Sequence, residues 1–129
     1  MADAGVAKTR IWAGRVVSAI PILIMGLAGT MKLAGGERMI TDWVAFGYPP
    51  LTLFPIGVTE LACAILYAIP RTSVLGAVLV TGYLGGAVAT HVRLSQPVWT
   101  VPALLGVLAW LGLWLRDPRL RELLPLRRG

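Results

Sequence analysis

The chain has 129 residues, 57% of them apolar and 14% charged, with a formal net charge of +6 and a mean hydropathy of +0.75. So little charge excludes an intrinsically disordered chain, and so much apolar surface exceeds what a chain this short can hide in a soluble core, which argues against a small soluble enzyme. The basic residues sit at the ends and between long apolar stretches, as in a multi-pass membrane protein and not as in a nucleic-acid binder.

The predicted fold is all-α: four transmembrane helices packed as a bundle over residues 11–115, between a cytoplasmic N-terminal segment, 1–10, and a short basic cytoplasmic tail, 116–129. The first span is placed at 11–34. Residues 16–31 have no charged side chain, and Arg15 and Lys32 can snorkel to opposite interfaces. A basic segment before an apolar run also describes a signal peptide, but this run has helix length and ends at Lys32, so it reads as an uncleaved anchor. Pro21 is expected to kink it, and Gly35-Gly36 to end it. The second span lies within 51–69, after Pro49-Pro50, and Pro55 is a candidate for its true start. Pro70-Arg71 makes a tight turn into the third span, 73–92. Pro97 separates it from the fourth, 98–115, and Pro118 follows the exit. The alternating polarity of a membrane β-barrel is absent.

With both termini on one side, that side carries Lys8, Arg10, Arg15, Arg71, Arg116, Arg119, Arg121, Arg127 and Arg128, against Lys32, Arg38 and Arg93 on the other. Nine against three places both termini in the cytoplasm of a cell (inner) membrane. Trp12, Tyr67, Trp110 and Trp114 then fall near the inner boundary, and Trp43, Tyr48 and Trp99 near the outer one. In the tail, Leu120, Leu123 and Leu124 can share a helical face. This segment reads as an anchor that fixes topology, or as a docking site for anionic lipid or a protein partner.

Glu60 is the only charged residue of the second span and falls near the bilayer midplane. A lone charge in hydrocarbon is too costly, so Glu60 is expected to face the bundle interior, either paired or neutralised by a proton. The turn at 70–72 brings together residues whose numbers sum to about 142, which makes the Tyr83 hydroxyl its first candidate partner in a polar intramembrane site. His91 lies nine residues beyond Gly82, about 13 Å nearer the outside, too far for contact on straight helices. Lys32 is also near the outer end, with a stem long enough to reach inward. Lys32, Thr90, His91 and Arg93 form an outer cluster of candidate ligand- or headgroup-binding residues. Tyr83, Ala87, Thr90 and His91 share one helical face, so a polar stripe joins the two sites. Gly26 and Gly29 of the first span, and the Gly82-x-x-x-Gly86 motif of the third, are expected to serve helix packing. Cys63 is alone and forms no internal disulfide, CxxC pair or thiolate zinc site, so no metal centre is expected.

Gly29-Thr30-Met31-Lys32-Leu33, the lone Glu60, the run Gly82-Tyr83-Leu84-Gly85-Gly86-Ala87-Val88-Ala89-Thr90-His91-Val92-Arg93 and the ending Arg116-Asp117-Pro118-Arg119-Leu120-Arg121 together resemble the DoxX-like family of small bacterial membrane proteins, over about residues 10 to 125. The resemblance implies a four-helix membrane bundle. It also implies a choice of roles, since the family takes its name from a membrane subunit of an archaeal thiosulfate:quinone oxidoreductase and includes accessory subunits and membrane-protein chaperones. Three functions are therefore weighed. One is an accessory subunit that receives a protein partner, lipid or quinone. Another is a quinone-linked oxidoreductase subunit, in which His91 and Arg93 bind the headgroup and Glu60 moves a proton. The last is a small proton-coupled transporter working as a homo-oligomer around Glu60. Small multidrug transporters carry their membrane Glu on the first helix, not the second, which disfavours this last reading. Quinone is the one cofactor in view. A lone interfacial histidine does not suggest haem.

Overall fold

The computed structural model describes residues 2–127, and Arg128, counted above on the cytoplasmic side, lies outside them. The described residues are helical throughout their ordered elements, with no strand: α1 (Ala2–Ala34), α2 (Glu37–Ala45), α3 (Leu53–Ala68), α4 (Ser73–Arg93), α5 (Thr100–Arg116) and α6 (Pro118–Leu123). Four of the helices, α1, α3, α4 and α5, are long and apolar enough to cross a membrane. They close a ring in which α3 packs on α1 and α4, and α5 packs on α4 and α1. Their outward faces are apolar and uncovered, as at Leu23, Leu27, Leu104 and Val107, which is how a bundle solvated by lipid differs from a soluble one.

Proline sets most of the boundaries. Single 3₁₀ turns that begin at Pro50, Pro70 and Pro97 feed α3, α4 and α5. Pro55 and Pro102 fall in the first turn of α3 and α5, where a missing N–H costs nothing. The first helix departs from expectation. It begins at Ala2 rather than near residue 11, with the buried Pro21 inside it. Asp3 in its first turn suits the helix dipole, and the following residues are compatible with helix, so nothing breaks the chain at residue 10.

Close helix contact is made by glycines, but by a different set from the one predicted. A Cβ added at Gly14 would lie 2.8 Å from the Gly112 carbonyl oxygen, which brings α1 and α5 together. Gly76 is pressed against the backbone of Leu66 and Tyr67, which brings α4 against α3. Gly29 fits its expected role, since its Cβ would meet the Gly57 oxygen at 3.2 Å. Gly26, Gly82 and Gly86 do not. A Cβ at any of them meets nothing within 4 Å, because no neighbouring backbone approaches there.

The end of the bundle that holds the termini is knitted by Tyr67, which is 1% exposed. Its hydroxyl donates to the Ala109 carbonyl at 2.6 Å and lies 3.0 Å from Ser18 Oγ. Its own carbonyl accepts from Ser73 at 3.0 Å and from Arg116 at 3.3 Å. Helices α1, α3, α4 and α5 thus converge on one residue. Just beyond, Asp117 caps α6 by accepting from the Arg119 backbone N–H at 3.0 Å. The Arg119 guanidinium beside it holds the Asp117 carboxyl below the usual carboxylate range. Arg121 donates to the carbonyls of Trp114 and Leu115, satisfying the end of α5. The three tail leucines do not share a buried face. Leu120 enters the core, while Leu123 and Leu124 stay exposed because α6 ends after barely more than a turn.

These contacts make the glycines unequal. Gly76→Ala is expected to cost about 3 kcal/mol or more, because backbone and not a yielding side chain stands where the methyl would go. Gly82→Ala is expected to stay within about 0.5 kcal/mol of the parent. Thermal melts of the two variants in the same mild detergent check the contrast, and equal melting temperatures would contradict it.

Candidate functional site

Glu60 is buried on α3, with 6% of its side chain exposed. Lys32 of α1 donates to its Oε2 at 2.6 Å, and the Tyr83 hydroxyl of α4 donates to the same oxygen at 2.9 Å. Three helices are joined through one carboxylate. Chain direction explains why Lys32 arrives. Cα–Cβ bonds tilt toward a helix N-terminus. On α1 that tilt points toward the end of the bundle that holds the termini, and on the antiparallel α3 it points away from it, so the two side chains lean toward each other. Gly57 completes the approach. A Cβ there would lie 2.8 Å from the Cβ of Lys32, so only glycine lets α1 come this near one turn above Glu60. Lys32 therefore belongs to the Glu60 site as well as to the outer cluster in which the sequence placed it.

Above this triad is a cavity of about 420 Å³. Lys32 and Tyr83 lie at its deep end. Gly82, Gly86, Ala87, Thr90 and His91 of α4 form one wall, and Ile56 and Thr52 form part of another. The expected stripe of Tyr83, Ala87, Thr90 and His91 thus faces a single space. The two exposed glycines keep that wall free of side chains and so help to create the space.

The roof comes from a segment that sequence reasoning left unassigned. Helix α2 and the turn after it bring Trp43, Phe46 and Tyr48 over the cavity. The Trp43 and Tyr48 rings lie 4.9 Å apart, and the Phe46 ring meets His91 edge to face at 5.6 Å. Trp43 Nε1 donates to Thr52 Oγ1 at 2.9 Å, tying the roof to α3. Tyr48 is hydrogen-bonded to Thr90, whose own hydroxyl donates to the Gly86 carbonyl, tying it to α4. The sequence signal was the spacing of three aromatics across 43–48 behind a charged stretch. Trp43 and Tyr48 read there only as interfacial aromatics, and Phe46 carries no separate signal.

Arg93, expected among the ligand- or headgroup-binding residues, does not line the cavity. Its guanidinium donates to the Phe46 carbonyl and sits 5.8 Å over the Tyr48 ring, bracing the roof from outside. Gly47 makes room for it. At φ 90° that residue is in a region L side chains rarely adopt, and a Cβ would come within 3.2 Å of Arg93. His91 makes no contact with Glu60. Its Nδ1 is 2.7 Å from Gln96 Oε1, which holds the ring upright at the mouth. Among the described residues no three His, Cys, Asp or Glu side chains are grouped to hold a metal ion.

The arrangement makes the Lys32–Glu60 pair sensitive to one-sided change. Lys32→Met is expected to lower stability by about 3 to 5 kcal/mol, because it strands a buried carboxylate. Glu60→Leu should do the same to the ammonium, whereas Glu60→Gln keeps an acceptor for Tyr83 and should cost less. Combining Lys32→Met with Glu60→Leu should recover much of the loss. Detergent melts of the four variants decide it, and a double variant no better than the worse single one would contradict the pairing.

The comparisons agree with this architecture. The model of the DoxX-like family matches residues 16–112. A relative from Bacillus subtilis (strain 168), the uncharacterized protein YwoB, is 29% identical over 85 residues, covering 66% of this chain and 55% of its own length. The chain thus spans about half the length of that curated relative. No solved structure matches. The matched region takes in all of α3 and α4, most of α1 and α5 and the whole Lys32–Glu60–Tyr83 site, and the chain belongs to the DoxX-like family.

Proposed function

We propose that this protein is an accessory membrane subunit that binds the ring of a quinone-class molecule in the outer cavity and presents it to a protein partner. The observation that carries the reading is the cavity itself. It is flanked by aromatic side chains, with hydrogen-bonding groups at both ends. Lys32 and Tyr83 are at the deep end, and Thr90 and His91 lie about 10 to 12 Å further along α4, at 1.5 Å per residue. A flat ring with an oxygen on either side fits a slot of this kind, its faces against Trp43 and Phe46. Lys32 would donate to one ring oxygen, through ammonium hydrogens not used on Glu60, while Tyr83 packs beside it. With Nδ1–H donating to Gln96 Oε1, the other ring nitrogen of His91 is an acceptor and would meet the opposite oxygen as the hydroxyl of the reduced, quinol form.

The distribution of basic residues supports an orientation with both termini in the cytoplasm, so that the cavity faces the outer side of a cell membrane. Proton-coupled transport is the weaker reading. Both hydrogen bonds to Glu60 come from within the bundle, and Lys32 rather than Glu60 lines the cavity, so the carboxylate is not placed on an open path. The pairing also favours a holding role over chemistry by this chain alone.

The purified protein is expected to quench its tryptophan fluorescence saturably on titration with a short-chain quinone. His91→Ala should weaken binding of the quinol form by about five- to tenfold, the worth of one hydrogen bond. Retention of wild-type helix content by circular dichroism separates lost binding from lost folding. Linear, unsaturable quenching of the folded parent protein would refute the proposal.

A further inference from the structure

A second, independent feature lies on the opposite half of the bundle. Between α4 and α5 a groove of about 680 Å³ opens sideways to the surroundings, walled by Leu84, Val88, Val107 and Trp110. Small residues make it: Gly85 has nothing within 4 Å of an added Cβ, and Gly106 only the tip of Leu84 at 3.8 Å. The Trp110 indole donates across to Thr81 at 2.6 Å and holds the two helices at that width. The groove runs from Pro102 to Trp114 along α5, about 18 Å at 1.5 Å per residue. One leaflet of hydrocarbon is about 15 Å, half of the roughly 30 Å core. A partner's spanning helix would need nearly twice that length of apolar groove.

The end of the groove is charged. At Trp114, Leu124 and Pro125 it continues into a depression of about 990 Å³ that contains Arg10, Arg121 and Arg127, with Glu122 as the one acid. Three cations against one anion leave this basin with two net positive charges. Arg121 spends one nitrogen on the carbonyls of Trp114 and Leu115, which fixes its position and leaves its other donors free for a ligand. Trp114 Nε1 donates to the Leu124 carbonyl at 3.2 Å and pins the tail at the junction. A chain-length apolar slot that ends in a basic basin has the two halves of one amphiphile.

We infer that this surface is a binding site for an anionic phospholipid, with an acyl chain between α4 and α5 and the phosphate among Arg10, Arg121 and Arg127. The tail then does more than set topology: it docks to a lipid that also fills the seam between two helices.

The test uses the full chain, delipidated in mild non-ionic detergent and offered equal amounts of phosphatidylglycerol and phosphatidylcholine with the same acyl chains. Native mass spectrometry reads what stays bound. The parent protein should retain one phosphatidylglycerol in preference to phosphatidylcholine, by about tenfold or more, and lose that preference in high salt. Arg10→Gln with Arg127→Gln should cut the preference about tenfold while helix content by circular dichroism is unchanged. Arg121 is left in place because it also caps α5. Gly85→Leu fills the groove without meeting backbone and should reduce retention of both lipids. Equal retention of the two lipids by the parent, or an unchanged preference in the arginine variant, would overturn the inference. So would a dimer that Gly85→Leu dissociates while lipid retention stays constant, since a second copy would then be the occupant.

Discussion

An ionised side chain at membrane depth has to be neutralised by its neighbours, and the pair of Lys32 and Glu60 does this across the contact between α1 and α3. Much of the half of the bundle away from the termini follows from it. The pair requires the two helices to be close, which Gly29 and Gly57 permit. It requires both side chains to face inward, which fixes the rotation of α1 and α3 about their axes. Tyr83 then supplies a further donor to the carboxylate and brings α4 to the same point. In lipid there is little hydrophobic force to hold helices together, so small-residue contact and buried hydrogen bonds must do it. Here both act within one turn of each other.

The two ends of the bundle are built differently, and the difference produces the cavity. Toward the termini, Gly14 meets Gly112 and Gly76 meets the Tyr67 backbone, with the Tyr67 hydroxyl bonded inside. Helices in such contact leave no room between them. Toward the end away from the termini, Gly82, Gly85 and Gly86 of α4 face nothing. The same residue type closes one end and opens the other, depending on whether a backbone or a void stands opposite. The void survives because α2 and its turn cover it, and that cover is bound to α3 through Thr52, to α4 through Thr90 and to Arg93.

Much of this was legible in the residues. Four uncharged stretches punctuated by proline and glycine located the spans, and the three later ones agree with the structure to within about two residues. The level of Tyr83 opposite Glu60 followed from counting away from the turn at 70–72. Three things were not legible. Helix α2 was hidden because its charges, Glu37, Arg38 and Asp42, resemble a loop when hydropathy is the only guide. The Lys32 contact was only a loose allowance, since counting residues places Cα atoms and says nothing of the direction in which a long stem leans. The roles of individual glycines were misassigned because a glycine spacing marks where close approach is allowed, not whether a neighbour makes it.

The pairing also bears on which kind of ligand the cavity suits. Lys32 lines the space, and an unpaired ammonium there would favour an anion. With Glu60 bonded to it at 2.6 Å, the deep end is close to neutral as a whole. An incoming carboxylate would have to compete with Glu60 for the same cation, and an incoming cation would meet Lys32 before it met the acid, because Lys32 and not Glu60 lines the space. A neutral oxygen acceptor faces neither penalty. It can share the remaining ammonium hydrogens, since Lys32 has three donors and uses one on Glu60. Aromatic walls add attraction for a flat ring without adding charge. The ion pair that lets this bundle exist in lipid is thus also what biases its cavity toward uncharged, oxygen-bearing guests.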